Sequence, residues 1–276
     1  MFNGSSFSIA ISTVKEGIFK VDSIVKELVD AKLDFELVVC HQLLFEQDRA
    51  EYISEREALS KKYKSIKIVV DAEKGLSRSR NKALEVSTSD FVFLSDDDNV
   101  FLAKGVRETL AYMESNAVDI SIGRITTPEG LDFKNYQEKS SLVTSLNSGS
   151  VSSLEVCISK KCIRDKMLRF DERFGLGTEL PSCEEFIYIN DAIKRNAKVS
   201  RTRIYVNKHP MESSGKDLTV AKTIVAKGAA FRRVFGFAGV FVIVLFALRK
   251  ASSFNNLSFI LKNSFRGYSV VDISKR

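Results

Sequence analysis

Histidine and cysteine are both scarce in this 276-residue chain: two histidines, His41 and His209, and four cysteines, Cys40, Cys157, Cys162 and Cys183. The cysteines are scattered and no CxxC pair occurs, which argues against a disulfide framework or a cysteine-bound metal. In apolar or mixed surroundings they read as small buried hydrophobes. A secretory signal is also lacking, since Met1 to Ser8 is short, polar and uncharged. Together these absences point to a reducing, cytoplasmic setting. The glycine spacing of GxGxxG is missing, which sets aside a dinucleotide fingerprint. There is no internal repeat and no low-complexity linker.

What is present is a chain long enough for a real core, 44% hydrophobic, with a net charge of +7. The charge is unevenly placed. Residues 194–276 hold 17 Lys and Arg against 3 Asp and Glu, leaving 25 basic and 32 acidic residues before them. An acidic body thus carries a basic tail, which suits an anionic partner. Lys222, Lys227, Arg232 and Arg233 lead into the uncharged run Val234–Leu248, "VFGFAGVFVIVLFAL". As one helix those residues reach about 22 Å, short of the roughly 30 Å bilayer core. An in-plane segment on anionic headgroups fits the run; a buried core helix is the other reading.

The first 120 residues alternate strand and helix. Strands are expected over Phe7–Thr13, Phe35–His41, Ser65–Asp71 and Phe91–Ser95. Helical spacing is clear at Ile18, Val21, Ile24, Val25, Leu28 and Val29. This predicts an α/β fold, a mainly parallel sheet flanked by helices. Ligands then bind beyond the carboxyl ends of the strands, where Ser12, Thr13, His41, Asp71 and the aspartates fall. Later, "VDISIGRITT", "SLEVCISKKCI" and "KVSRTRIYVNKHP" read as strands and "EEFIYINDAIKRNA" as a helix. The expected organisation is residues 1–120, residues 121–210 and a basic, apolar tail, residues 211–276.

"FVFLSDDDNVF", Phe91–Phe101, places Asp96, Asp97 and Asp98 at the end of an apolar strand. Two adjacent charges about 4 Å apart repel by roughly 4 kcal/mol at an effective dielectric near 20. Mg²⁺ or Mn²⁺, sharing its shell with substrate phosphates, would relieve that; a solvated acidic loop is the plainer reading. In "EKGLSRSRNKAL", Ser77 or Ser79 suits a helix cap, and Arg78 and Arg80 suit phosphate. Glu184 and Glu185 open a helix, either as ordinary N-terminal charge placement or as a general base. His209, just before a proline, is either structural or a diphosphate or metal partner.

In this order, "KGLSRSRN", "FVFLSDDDN" and "FGLGTELPSCEEFIYINDAIKRNAKV" resemble family 2 glycosyltransferases of the GT-A fold over about residues 5–235. The likeness is to bacterial sugar transferases of O-antigen and capsule assembly. It implies a Rossmann-like nucleotide-sugar half (1–120), an acceptor half (121–210) and a membrane-associating tail. Carried over by position, Asp98 is the direct metal ligand, with Asp96 a further candidate. Asp96 or Asp97 faces the ribose or donor sugar. Arg80 and Asn81 line the diphosphate, Ser12 and Thr13 lie beside the nucleotide, and His209 is near the diphosphate. Glu184 and Glu185 are the acidic pair near the acceptor, with Glu185 in place of the usual aspartate base. Where the family often has an aspartate beside uracil, this chain has "VVCHQ" and His41.

The resemblance therefore implies an inverting, metal-dependent (Mn²⁺ or Mg²⁺) hexosyltransferase. Its donor is a UDP-sugar, galactose or glucose favoured. Its acceptor is a glycan or a polyprenyl-diphosphate-linked sugar, met at the inner leaflet by a peripheral, cytoplasmic enzyme. Nucleic acid is not an expected partner: the interrupted apolar tail and the acidic body argue against it, since its binders usually carry a basic patch interleaved with aromatics on the folded face. The rival readings are a metal-dependent nucleotidyltransferase and a non-enzymatic, basic-tailed membrane-binding protein.

Overall fold

The computed structural model describes residues 4–45, 47–145, 147–211, 221–254 and 257–271. Parts of the tail assigned to 211–276, and the first three residues of the chain, lie outside the described residues.

In chain order the strands are β1 (Phe7–Val14), β2 (Glu36–Gln42), β3 (Ile66–Asp71), β4 (Phe91–Ser95), β5 (Val100–Phe101), β6 (Ile120–Thr126), β7 (Ser141–Leu142), β8 (Val156–Ser159) and β9 (Val199–Lys208). The helices are α1 (Val21–Asp30), α2 (Ala50–Lys62), α3 (Leu76–Val86), α4 (Ala103–Asn116), α5 (Lys160–Asp165), α6 (Glu184–Lys194), α7 (Ala221–Phe235), α8 (Gly239–Phe254) and α9 (Leu257–Val270). The strands form one sheet in the order β3-β2-β1-β4-β8-β6-β9-β5, with β7 on β9. Neighbours from β3 to β4 are parallel. In the second half β8 runs antiparallel to both β4 and β6, so the sheet becomes mixed.

Alternation along the strands sends side chains to two cores. Ile9 and Ile11 of β1 join Val21, Ile24, Val25 and Leu28 of α1 on one face. Ala10 joins Ala83 and Leu84 of α3 and Tyr188 and Ile189 of α6 on the other. Each large apolar side chain buried this way contributes about 1.5–3 kcal/mol. The parallel register places Ile11 opposite Ser95 and Thr13 opposite His41. The first residues beyond β4 therefore emerge beside the end of β1.

Two local expectations change. "SKKCI" is not strand: β8 stops at Ser159, whose Oγ accepts from the Cys162 amide at 3.5 Å and caps α5. Ser77 and Ser79 do not cap α3, which begins after Gly75 (φ +137°). Instead Ser77 Oγ donates to the Phe174 carbonyl at 2.6 Å and Ser79 Oγ to Ser12 Oγ at 2.9 Å.

The described residues of the tail form three packed helices. By length and composition Ala221–Lys250 is long and apolar enough to cross a membrane. It is not one straight rod. Gly236 has φ +60°, and the Phe231 and Phe246 rings lie 5.6 Å apart, whereas 15 residues of straight helix would separate them by about 22 Å. Thus α8 doubles back on α7. Gly228 lets α7 touch α9: a Cβ there would sit 1.9 Å from the Ser264 carbonyl oxygen. The run Val234–Leu248 consequently meets both of its readings. Val234, Ile243 and Ala247 are buried, while Phe237 (82% exposed), Phe241 (73%), Leu245 and Leu248 form an open stripe. Arg233, expected to face an anionic partner, is buried. It bonds Asp171 (Nε–Oδ2 3.0 Å) and Asp191 bidentately (3.1 and 2.7 Å), fastening α7 to the body.

Candidate active site

The three aspartates beyond β4 separate at once. Asp96 turns inward: its Oδ1 accepts from Arg80 at 3.1 Å and its Oδ2 from Ser153 Oγ at 3.3 Å. Asp97 Oδ2 accepts from Thr13 Oγ1 at 2.7 Å. Asp98, its side chain 54% exposed, lies 3.2 Å from Nε2 of His209. Gly17 makes the middle position possible, because a Cβ there would lie 1.9 Å from Asp97 Oδ2. Asn99 is tied back by Ser95 Oγ and donates to Asn207 Oδ1 at 2.9 Å, so β4 and β9 hold the turn between them.

Across the site, Arg80 of α3 is the organising cation. Its guanidinium is 2% exposed and reaches Asp96, Glu184 Oε1 (3.2 Å) and Glu185 Oε1 (3.1 Å). It also lies 5.6 Å from the centre of the Phe170 ring. Burial disfavours its charge, but the charges of Asp96, Glu185 and Glu184 more than offset this and hold its proton. Glu184 is pushed up to about 7, first by burial and then by the Glu185 charge, with Arg80 opposing. Glu185 is the more open of the pair, with 17% of its side chain exposed.

Around His209 the hydrogen bonds set the tautomer. Nδ1 donates to the Pro210 carbonyl at 2.5 Å, leaving Nε2 towards Asp98. The Asp98 bond raises the His209 pKa, and the His209 bond lowers that of Asp98. Among the described residues no group of three or more His, Cys, Asp and Glu could hold a metal. The donor set nevertheless fits a partly protein-bound cation. Asp98 Oδ and His209 Nε2 face each other with the imidazole oriented by its second nitrogen, and substrate phosphates would complete the shell.

Several expected site residues have other settings. His41 is fully buried: Nε2 donates to the Lys15 carbonyl at 2.8 Å, and Nδ1 accepts from Arg56 at 3.1 Å. Burial lowers its pKa, so it is a satisfied neutral core histidine, turned away from solvent. Asn81 clamps the chain at Phe170, through Nδ2 to its carbonyl (3.0 Å) and Oδ1 to its amide (2.8 Å). Asp71 pairs with Lys82 (2.7 Å) and Arg78 (3.2 Å); burial raises its pKa, but the Lys82 bond and the Glu73 amide hold it down. Arg78, expected on phosphate, is spent on Asp71 and Glu73. Ser12 is buried against Ser79. Arg80 and Asp96, expected on diphosphate and on ribose, donor sugar or metal, bond each other.

Three participants lay outside the sequence reading. Asn207 shares a strand face with His209 by simple alternation, a legible signal. Gly17 and Ser153 had none, because their partners are 80 and 57 positions away in the chain.

The sequence matches the family described as Glycosyl transferase family 2 over residues 24–175, more than half of the chain. The chain belongs to glycosyl transferase family 2. No curated protein sequence matches it. Among solved structures, Staphylococcus aureus TarS 1–349 is 17% identical with a TM-score of 0.63, and the match covers 92% of this chain and 73% of that one. The same TarS segment in complex with UDP-GlcNAc gives 16% identity, 0.63, 92% and 74%. The Pyrobaculum calidifontis mannosyltransferase PcManGT, in complex with GDP-Man and Mn²⁺, gives 8%, 0.55, 96% and 74%. A longer TarS structure is covered over 44% of its length. At these identities the likeness shows the fold, GT-A. This family 2 member is a glycosyltransferase whose Asp98–His209 pair and Arg80-held glutamates lie at one end of that fold.

Proposed function

We propose that the chain is an inverting hexosyltransferase. It transfers a sugar, galactose or glucose favoured, from a UDP-sugar to a glycan or polyprenyl-diphosphate-linked acceptor in surface polysaccharide assembly, of O-antigen or capsule. The observation that carries this is Arg80, which ties Glu185 to Asp96, two residues from Asp98. A base and an anion-facing pair are thereby held within one side chain's reach of each other.

Asp98 and His209 would hold Mn²⁺ or Mg²⁺, which when bound supplies Lewis-acid stabilisation of the departing diphosphate. Glu185 takes the proton from the acceptor hydroxyl. That oxygen bonds to the anomeric carbon as the bond to the nucleoside diphosphate breaks on the opposite face. General-base assistance of this kind contributes about 10²–10⁴-fold. Glu184, buried and raised in pKa, backs Glu185 rather than facing substrate. Thr13, through Asp97, sets the floor for the nucleotide.

The tail serves the membrane surface in this reading. Phe237, Phe241, Leu245 and Leu248 recur at helical spacing along one open face of the hairpin, and Lys262 and Arg266 of α9 are exposed nearby in sequence to its base. Serine at Phe241 and Leu245 should release the protein from anionic vesicles in sedimentation; undiminished pelleting would remove the membrane role.

The deciding experiment incubates a panel of sugar nucleotides with a synthetic lipid-diphosphate acceptor, with Mn²⁺ and then with chelator. Glycosylated acceptor and released nucleoside diphosphate are expected, both lost on chelation. Release of pyrophosphate would instead indicate nucleotidyl transfer. Activity indifferent to chelator would overturn the metal role of Asp98 and His209.

A further inference from the structure

A cavity of about 140 Å³ lies between the middle of β6 and β9 and the residues 134–137, Lys139, Asn147 and Ser150. Arg124, Lys134, Lys139 and Arg201 line it, and no Asp or Glu does. The carboxylate of Glu155, which is not among the lining residues, is already engaged by Lys134 Nζ at 2.7 Å, Tyr136 Oη at 2.8 Å and the Ser152 amide at 2.9 Å.

The two arginines are the unusual feature. Arg124 is nine-tenths buried, lies 5.3 Å and 5.7 Å from the ring centres of Tyr136 and Tyr205, and donates to the Gln137 carbonyl at 2.5 Å. Arg201 donates to the Asn147 carbonyl at 2.8 Å and to Ser150 Oγ at 3.2 Å. Among the described residues neither forms a salt bridge: their hydrogen bonds go to neutral acceptors, and Glu155 favours the charge of Arg201 without bonding it. This contrasts with the buried guanidiniums of Arg80 and Arg233, which each meet two or more carboxylates. Burial weakens the hold of Arg201 on its proton. Removing a guanidinium from water without a directly paired counter-charge is costly. An oxyanion offers what is missing, since its oxygens match the guanidinium fork and accept two bonds at once.

We propose that this cavity is an anion site that takes a phosphate group, held by Arg201, Arg124 and Lys139. Its place gives it a use. The wall residue Ser150 lies three positions before Ser153, whose hydroxyl bonds Asp96 at 3.3 Å. All the lining residues fall within 121–210, the half of the fold assigned above to the acceptor, and a phosphate there would come either from a phosphorylated acceptor or from free inorganic phosphate. The acceptor source rests on the glycosyltransfer reading proposed above; the binding itself does not.

The test titrates inorganic phosphate into the full-length chain at low ionic strength by calorimetry, for the wild type and for Arg201→Gln, Lys139→Gln and His209→Gln. Saturable binding is expected, about tenfold weaker in Arg201→Gln, as for a lost charged hydrogen bond, and unchanged in His209→Gln. Absence of saturable binding by the wild type, binding untouched by Arg201→Gln, or loss confined to His209→Gln overturns the site. If Arg201→Gln melts early, the exposed Lys139→Gln decides: weaker binding with an unchanged Tm supports the site, and unchanged binding overturns it. Transfer assays with one glycan acceptor, phosphorylated and phosphate-free, then separate the sources. A KM raised in Arg201→Gln for the phosphorylated acceptor alone, at unchanged kcat, assigns the phosphate to the acceptor; equal KM values leave free phosphate as the ligand. Failure of transfer with every donor would sink the hexosyltransferase reading while the calorimetry still stands.

Discussion

Asp96, Asp97 and Asp98 follow a strand, and their side chains go to three separate partners: Arg80, Thr13 and His209. Glu184 and Glu185 open a helix, and both reach the same guanidinium. The difference is one of backbone. Past a strand, successive side chains diverge, so three charges can be dispersed to different walls of a cleft. In the first turn of a helix, two glutamates leave from one end and must share what is there. Dispersal leaves Asp98 below the usual carboxylate range, with His209 as the main cause. Convergence with burial drives Glu184 up to about 7. Like-charge runs thus have opposite outcomes, and Arg80 touches both.

The sharpest way to separate the two glutamates is catalytic. Glu185→Gln should lower kcat by about 10²–10⁴-fold, the range for a lost general base. Glu184→Gln should cost far less, because its carboxyl is buried, raised to about 7 and so partly protonated near neutral pH; steady-state rates on both variants check this. Equal losses would merge the two roles.

Next in size is the cation that joins the regions. Arg80→Met should destabilise the fold by about 3–5 kcal/mol, the cost of leaving buried charge uncompensated, read from denaturant midpoints. A small effect would mean that Asp96 and the glutamates find water once Arg80 is gone.

Gly17→Ala probes the dispersed side. A Cβ would collide with Asp97 Oδ2 and Thr13 Oγ1, at 1.9 and 2.1 Å. The expected cost is about 1–3 kcal/mol, as for overpacking, with loss of transfer as Asp97 is displaced.

Glu36 supplies a single buried carboxylate for reference. Burial works against its ionisation, but bonds from Lys67, Ser8 and Thr88 prevail and bring its pKa to about 2, from an ordinary 4.5. Its stabilisation is therefore complete above pH 4.5 and fades as pH falls towards 2. Glu36→Gln should lower stability at neutral pH by about 1–3 kcal/mol and flatten the acid limb of the stability–pH curve. An unchanged acid limb would show that Glu36 is not the group being titrated.

Much of the fold was legible. Apolar runs and helical spacing marked β1 to β4 and α1, and "FVFLSDDDN" put the aspartates at a strand end. The resemblance reached the family and the pairing of acids from two distant segments. The partners of the polar groups were not legible, because they come from segments far apart in the chain: Arg80 meets Glu184 and Glu185, Asn81 holds the chain at Phe170, and Arg233 meets Asp171 and Asp191. His41 ended a strand at a ligand-binding edge, yet α2 covers it with Arg56. "SKKCI" was misread because a one-turn helix leaves too short a pattern to tell from a strand.

The sequence by itself determined the alternation of strands and helices, the acidic body and basic tail, and which residue types gather at the strand ends, since these follow from local spacing and composition. Only the tertiary structure decided which charges pair. It sent Arg80 to the acids rather than outward, left Arg124 and Arg201 without a salt bridge among the described residues, and folded the apolar run into a hairpin with one face buried and one open. Those outcomes depend on which segments the sheet brings together, because the energy of a charge or an apolar face is set by its neighbours in space.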